Sequence, residues 1–308
     1  QVAQSTDTLK ALLPDLVSAG GGRLHIFGRG LADGCTDKPE MFRILRAAIE
    51  QTALEKRNVS VLFGFLSASA ESDHVFYSCT LDSLVSDRVL GQWFPIFQTN
   101  STIDQRGVER LHDALDLGIA EIHTFQYLAR GRAHESIGDD ELAGLLTKIL
   151  AKKNGVEVVV EILIMRFHGR NKESPNLSDG LVAVTRDVLS MYEFEEKHGR
   201  RDSADNNLAD LANNCFTGTD GIEAATRVGQ KLIKALIAQR VYAFDYPKLL
   251  ESVAKAQPLV FLDVFLGGDD ADEAQQGRHV RRRSDADALS VHEREARLSA
   301  EDHADLGA

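Results

Sequence analysis

Apolar residues recur along this chain at helical spacing. Leu9, Leu12, Leu13, Leu16 and Val17 share one helix face, with Pro14 set inside it. Gly20, Gly21 and Gly22 break that pattern, and a short apolar piece, residues 24–27, follows. Thr36-Asp37-Lys38-Pro39-Glu40 reads as a helix start. A capping side chain precedes a proline that the first turn tolerates, and a glutamate can reach back. The helix it opens carries Phe42, Leu45, Ala48 and Ile49 on one side.

The same signal continues. Val59, Leu62, Phe63 and Leu66 form a short helix stripe, and residues 81–90 form the next, running toward Pro95, where a kink or break is expected. Thr102-Ile103-Asp104 starts a helix striped by Val108, Leu111 and Leu115, and Gly118 ends it. Ile119, Ile122, Phe125 and Leu128 are read as a further helix. Asp139 or Asp140 caps one bearing Leu142, Leu145, Leu146, Ile149 and Leu150, closed by Lys152, Lys153, Asn154 and Gly155.

Residues 156–165 are ambiguous. Their β-branched content suits a strand, whereas their position between helices and the four-residue spacing of Glu157 and Glu161 suit a buried helix. Helix is the reading adopted. Ser178 then caps a long helix with Leu181, Val184, Val188, Met191 and Tyr192 on one face. Leu208 and Leu211 mark another, Asp220 opens a strong one, and Tyr246-Pro247 opens the last before Pro258 and an apolar run to Leu266.

About 11 or 12 helices thus start at intervals of roughly 17–25 residues, which paired gives a repeat of about 35–45 residues, in the range of HEAT, armadillo and tetratricopeptide arrays. The expected fold is all-α: an irregular α-solenoid of stacked antiparallel helix pairs. Residues 1–35 are expected to form an N-terminal helix and loop, 36–266 the helical-repeat domain, and 267–308 a polar tail. In that tail the acidic cluster at Asp269–Glu273 and the arginines 281–283 read as solvated charge, with too few large apolar residues to offset chain entropy.

Composition narrows the partners. The chain has 308 residues, with 35 Lys and Arg against 47 Asp and Glu, a net charge of −12. No global basic footprint exists, so nucleic acid is not an expected partner. No apolar stretch is long enough for a membrane span. Cys35, Cys79 and Cys215 lie far apart, without metal-ligand spacing, and each is read as a small buried apolar side chain in a reducing cytoplasm. The start, Gln1-Val2-Ala3-Gln4, has no methionine and no secretory pattern, which suggests a piece of something longer.

Candidate chemistry is sparse. Gly28-Arg29-Gly30 follows an apolar piece as a dinucleotide loop would, but lacks the third glycine and is read as a loop between helices. No Walker A motif occurs, and no cofactor or metal is expected. Asp73, His74 and Cys79 are a faint nucleophile-and-base pattern, and His112 and His123 could meet from neighbouring helices. Phe63, Phe65, Phe76 and Tyr77 read as core. Arg166, His168 and Arg170, with Lys172, make a basic knot that could contact an anion, although cations are expected at a helix C-terminus in any case.

Three stretches carry a resemblance: Gly107-Val108-Glu109-Arg110-Leu111-His112, Leu142-Ala143-Gly144-Leu145-Leu146, and Gln257-Pro258-Leu259-Val260-Phe261-Leu262-Asp263. Over about residues 36–266 the chain resembles the C-terminal helical-repeat half of large bacterial multidomain proteins, some similar to anti-phage STAND NTPases. The resemblance implies a sensing or scaffolding role. It carries over no ATPase residues, because the nucleotide-binding module has no counterpart here. The expected function is a protein-binding scaffold, with a protein or other domains of a longer chain as partner. The alternative is an all-α enzyme with its site between helices.

Overall fold

The computed structural model describes residues 6–18, 20, 23–168, 177–195 and 201–267. These residues are predominantly helical, and no strand occurs among them. The helices are α1 (Thr6–Leu16), α2 (Leu24–Gly34), α3 (Lys38–Gln51), α4 (Ser60–Ser72), α5 (His74–Leu84), α6 (Phe94–Gln98), α7 (Gln105–Leu117), α8 (Asp139–Leu150), α9 (Gly155–His168), α10 (Asp179–Met191), α11 (Arg201–Cys215), α12 (Gly218–Ile237), α13 (Pro247–Ala256) and α14 (Pro258–Leu266). Residues 267–308, read above as a tail, lie outside this description apart from Gly267.

The helix starts follow local capping chemistry. The carboxylates of Asp37, Asp73 and Asp104 accept from the amides of Glu40, Phe76 and Gly107, and the Ser178 hydroxyl accepts from that of Leu181. Each such bond satisfies a backbone donor the helix itself cannot. Pro95 does not break a helix. It sits in the first turn of α6, where its missing amide costs nothing. Gly118 ends α7 in the left-handed region, at φ 65°.

The ambiguous segment is helix α9. Val158, Val159, Ile162 and Leu163 are buried while Glu157 and Glu161 are exposed, a period that fits 3.6 residues per turn and no strand. Two other expectations are corrected. Residues 24–34, read as an apolar piece and a glycine loop, form the continuous helix α2. The segment of Ile119, Ile122, Phe125 and Leu128, read as a further helix, leads into residues 122–136, which are two short 3₁₀ runs. They are joined where Gly131 and Arg132 take left-handed φ values of 57° and 63°.

Packing follows chain order. Substantial helix–helix contacts join helices that are neighbours in sequence or have one helix between them: α2 on α4, α8 on α10, α9 on α11, α10 on α12, α11 on α13 and α12 on α14. Buried apolar side chains run without interruption from Leu9 on α1 to Val253 on α13, so residues before 36 share the core with those after.

Polar bonds fix the register of these stacks. Asp205 on α11 accepts from the amides of Lys248 and Leu249 at 3.1 and 2.9 Å, and Ser252 reaches the Ala209 carbonyl at 3.5 Å, so α11 and α13 run the same way. Arg186 on α10 donates to the carbonyls of Cys215 and Thr217 at 2.7 and 2.9 Å, at the start of α12. Lys231, further along α12, pairs with Glu193 just past the end of α10. Gln257, at the start of α14, donates to the Phe216 carbonyl at 2.7 Å. The ties span varied lengths of chain: 42 residues from Arg29 to Glu71, 43 and 44 from Asp205 to its two amides, 29 and 31 from Arg186 to Cys215 and Thr217, and 28 from Asp82 to Arg110.

The tightest approach is that of α2 and α4. A Cβ on Gly28 would lie 1.9 Å from the Val61 carbonyl oxygen, and one on Gly64 1.8 Å from that of His25. The two backbones therefore touch through paired glycines. Gly30, one turn face away, is exposed with nothing within 4 Å of its Cβ position. Gly28→Ala is expected to destabilise the protein by about 2 kcal/mol or more through forced separation of the helices. Gly30→Ala should stabilise it by about 0.5–1 kcal/mol through helix propensity. Urea unfolding of the two variants checks the contrast, and equal effects would contradict it.

Candidate functional site

Of the residues singled out for anion contact, Arg166 and His168 fall in the last turn of α9. Arg166 turns inward, with its side chain 11 % exposed. Its guanidinium donates to the carbonyls of His134 and Ile137 at 2.9 and 3.0 Å and to the Asp139 carboxylate at 2.6 Å. His168, two residues on and so on another side of the helix, is exposed. Arg170 lies outside the described residues.

What forms around Arg166 is a polar node that joins four elements. Its two carbonyl partners close the irregular segment 122–136. Asp139 is the first residue of α8, and its other carboxylate oxygen accepts a long, 3.4 Å bond from the Ser178 amide at the start of α10. Both charged partners are largely withdrawn from solvent, at 11 % and 18 % side-chain exposure. Removing one partner of such a pair strands the other and costs about 3–5 kcal/mol.

His134 is the node's buried titratable group. It is fully shielded, and its Nδ1 lies 2.9 Å from the Leu128 carbonyl oxygen. A carbonyl can only accept, so Nδ1 carries the proton. Burial pushes the His134 pKa below its ordinary value, and the adjacent Arg166 charge adds to the shift. Both effects favour the neutral imidazole. In this setting it closes a loop and packs a helix.

The remaining candidates resolve into structural roles. Asp73 is spent on capping α5, His74 is exposed and lies against the Tyr77 ring, and Cys79 is exposed on the same helix. Five residues of helix place His74 and Cys79 about 140° apart around its axis, so they share no face. His123 pairs with Glu121 at 3.0 Å, while His112 is partly buried and its pKa is lowered by burial. Arg29, inside the former glycine loop, is bidentate to Glu71 on α4 at 2.9 and 2.8 Å. The aromatic cluster is core: Phe76 packs edge-on to Phe42 and Phe65, and the Tyr77 hydroxyl donates to the Phe97 carbonyl at 2.8 Å. Of the cysteines, Cys215 alone is buried, and burial pushes its thiol up to about 12. Cys35 is half-buried and Cys79 exposed, contrary to the expectation for all three.

Sequence spacing missed two groups that the fold brings together. Arg110, 7 % exposed on α7, donates to Asp82 at 2.7 Å and to Ser78 at 2.7 Å on α5, and Arg106 joins the same carboxylate. His134 and Asp139 were not linked to Arg166 because about 30 residues of chain lie between them. Among the described residues, no group of three or more His, Cys, Asp or Glu side chains could hold a metal ion, and no helix is long and apolar enough to cross a membrane. No family model, curated protein or solved structure matches the chain.

The node has a pH signature. Because the folded-state pKa of His134 lies below the ordinary 6.5, the unfolded chain takes up the proton first as pH falls. The stability that depends on neutral His134 is complete above 6.5 and is lost as pH drops below it. His112 contributes with the same sign. Thermal unfolding between about pH 7.5 and pH 5 should show a falling midpoint, and His134→Gln should flatten that fall. An unchanged slope in the variant would remove His134 from the account.

Proposed function

We propose that the chain is a protein-binding helical-repeat scaffold, a sensor segment working in the cytoplasm without catalysis of its own. Its helices stack as antiparallel pairs into an irregular α-solenoid. The observation that carries this reading is that the substantial helix–helix contacts join helices that are neighbours in sequence or have one helix between them. Short connections support it too. Phe216 and Thr217 alone join α11 to α12, so a helix between two parallel partners must run back.

A stack of this kind places successive helices side by side along an extended face. Such a face suits a long partner, a folded protein or another domain of a longer chain, better than a small substrate. The resemblance to the repeat halves of large bacterial multidomain proteins points the same way. The polar side chains that would have to serve an inter-helix active site are engaged in ties between helices: Arg166 with Asp139, Arg110 with Asp82, and Arg186 with Asp220.

Lysine cross-linking read by mass spectrometry tests the array. Links are expected within Lys148–Lys153 and within Lys231–Lys255, and none from Lys38 or Lys56 to Lys231–Lys255. Abundant links between those ends would show a folded-back bundle and return the enzyme reading. Co-purification of a stoichiometric protein partner with the native chain, and no ATP turnover by the chain alone, is the functional expectation. Micromolar magnesium-ATP binding abolished by Arg29→Ala would overturn it.

A further inference from the structure

The turn between α12 and α13, residues 238–246, holds two aromatic rings out of the core. Val241 and Tyr246 anchor it from within; both are buried, and the Tyr246 ring lies edge-on to Phe194 at 5.1 Å. Between these anchors Tyr242 and Phe244 are 37 % and 73 % exposed. Their rings stack, with planes 2° apart and centroids separated by 5.2 Å. Backbone bonds make the turn stiff. The Arg240 amide donates to the Ala235 carbonyl at 2.9 Å, which closes α12 with Gln239 in the left-handed region at φ 55°. The Tyr242 amide donates to the Asp245 carboxylate at 2.8 Å.

The charge along this stretch is opposite to that of the whole chain. Residues 224–250 carry five cations, Arg227, Lys231, Lys234, Arg240 and Lys248, and one acid. That acid, Asp245, is buried and bound to the Tyr242 amide. Arg227 is paired with Glu223 and Lys231 with Glu193. Lys234 and Arg240 are exposed and without an ion pair among the described residues, and the Lys248 ammonium donates to the neutral Asn206 side chain. Rings that are already ordered lose little entropy on binding, and aromatic residues and arginine are enriched at the centres of interfaces. Cations beside them attract an anionic partner and repel a basic one.

We propose that this turn docks an acidic peptide segment of a partner protein. An apolar side chain of the partner covers Phe244, and carboxylates flanking it meet Lys234, Arg240 and Lys248. The proposal deepens the scaffold reading and rests on it for the existence of a protein partner. A nucleic acid strand fits less well. The two rings stack on each other, so they offer one outer face and no succession of platforms for successive bases. The strand's charge at every nucleotide would also run on over a body of net charge −12.

Fluorescence anisotropy with the full chain tests it. The probe is a labelled synthetic peptide of about 12 residues that sets two phenylalanines among aspartates and glutamates. Binding is expected with a dissociation constant on the order of tens of micromolar, weakened several-fold between about 50 and about 300 mM salt. Phe244→Ala should weaken it by about tenfold or more, and so, independently, should Lys234→Glu combined with Arg240→Glu. All three side chains are exposed, so the melting midpoint should stay unchanged. No binding up to about 1 mM peptide overturns the proposal, as does equal binding by both variants or equal binding of a peptide with lysine in place of its acids. A single-stranded oligouridine that binds more tightly than the peptide and is released by Phe244→Ala gives the turn to nucleic acid and overturns it too. So does a gain of about tenfold in peptide affinity when Asp269, Asp270, Asp272 and Glu273 are neutralised in the full chain, since the chain's own acids would then be the occupant. A stoichiometric partner that co-purifies equally with the Phe244→Ala variant overturns this contact and leaves the scaffold reading standing.

Discussion

The stack depends on how its helix ends are satisfied. A helix leaves its first amides and last carbonyls without internal partners, and in a protein built almost wholly of short helices these orphans are numerous. Here many are met by side chains from a helix two places away. The Asp205 carboxylate receives two amides at the start of α13, Arg186 binds two carbonyls where α11 hands over to α12, and Arg166 binds two carbonyls at the close of the 3₁₀ segment. One bond therefore performs two tasks: it satisfies a helix end and locks the sliding of one helix along another. Hydrophobic burial is non-directional and would tolerate a shift by a turn. The charged end-bonds do not tolerate it.

The α2–α4 crossing shows how little slack such packing leaves: paired glycines bring the two backbones together, and neither tolerates an added Cβ without displacement of a carbonyl.

Much of this was legible from residues. Caps at Asp37, Asp104 and Ser178 stood where their spacing from the first apolar stripe placed them, because capping is a local interaction within four residues. The segment 119–128 was legible too, but was assigned the wrong helix. Ile119, Ile122, Phe125 and Leu128 repeat every three residues without the four-residue step of an α-helix, and three per turn is the 3₁₀ period. Gly28 is the opposite case. A glycine in a helix that serves a close backbone approach looks in sequence like a glycine in a loop, and its partner, Gly64, is 36 residues away. The node of Arg166, Asp139 and His134 was half-visible: the cation at a helix C-terminus was, the carboxylate and carbonyls it binds were not. Spacing within one element shows, and pairing across about 30 residues does not.

These ties bear on where function can reside. The groups that sequence spacing offered as chemistry are largely consumed: Arg29 by Glu71, Asp73 by a helix cap, Arg166 by Asp139, and His134 by a backbone carbonyl that fixes its tautomer. Buried ion pairs that hold register have little freedom to change protonation. Elsewhere large apolar side chains are mostly turned inward, whereas on α14 Leu259, Leu262 and Leu266 are exposed among the described residues.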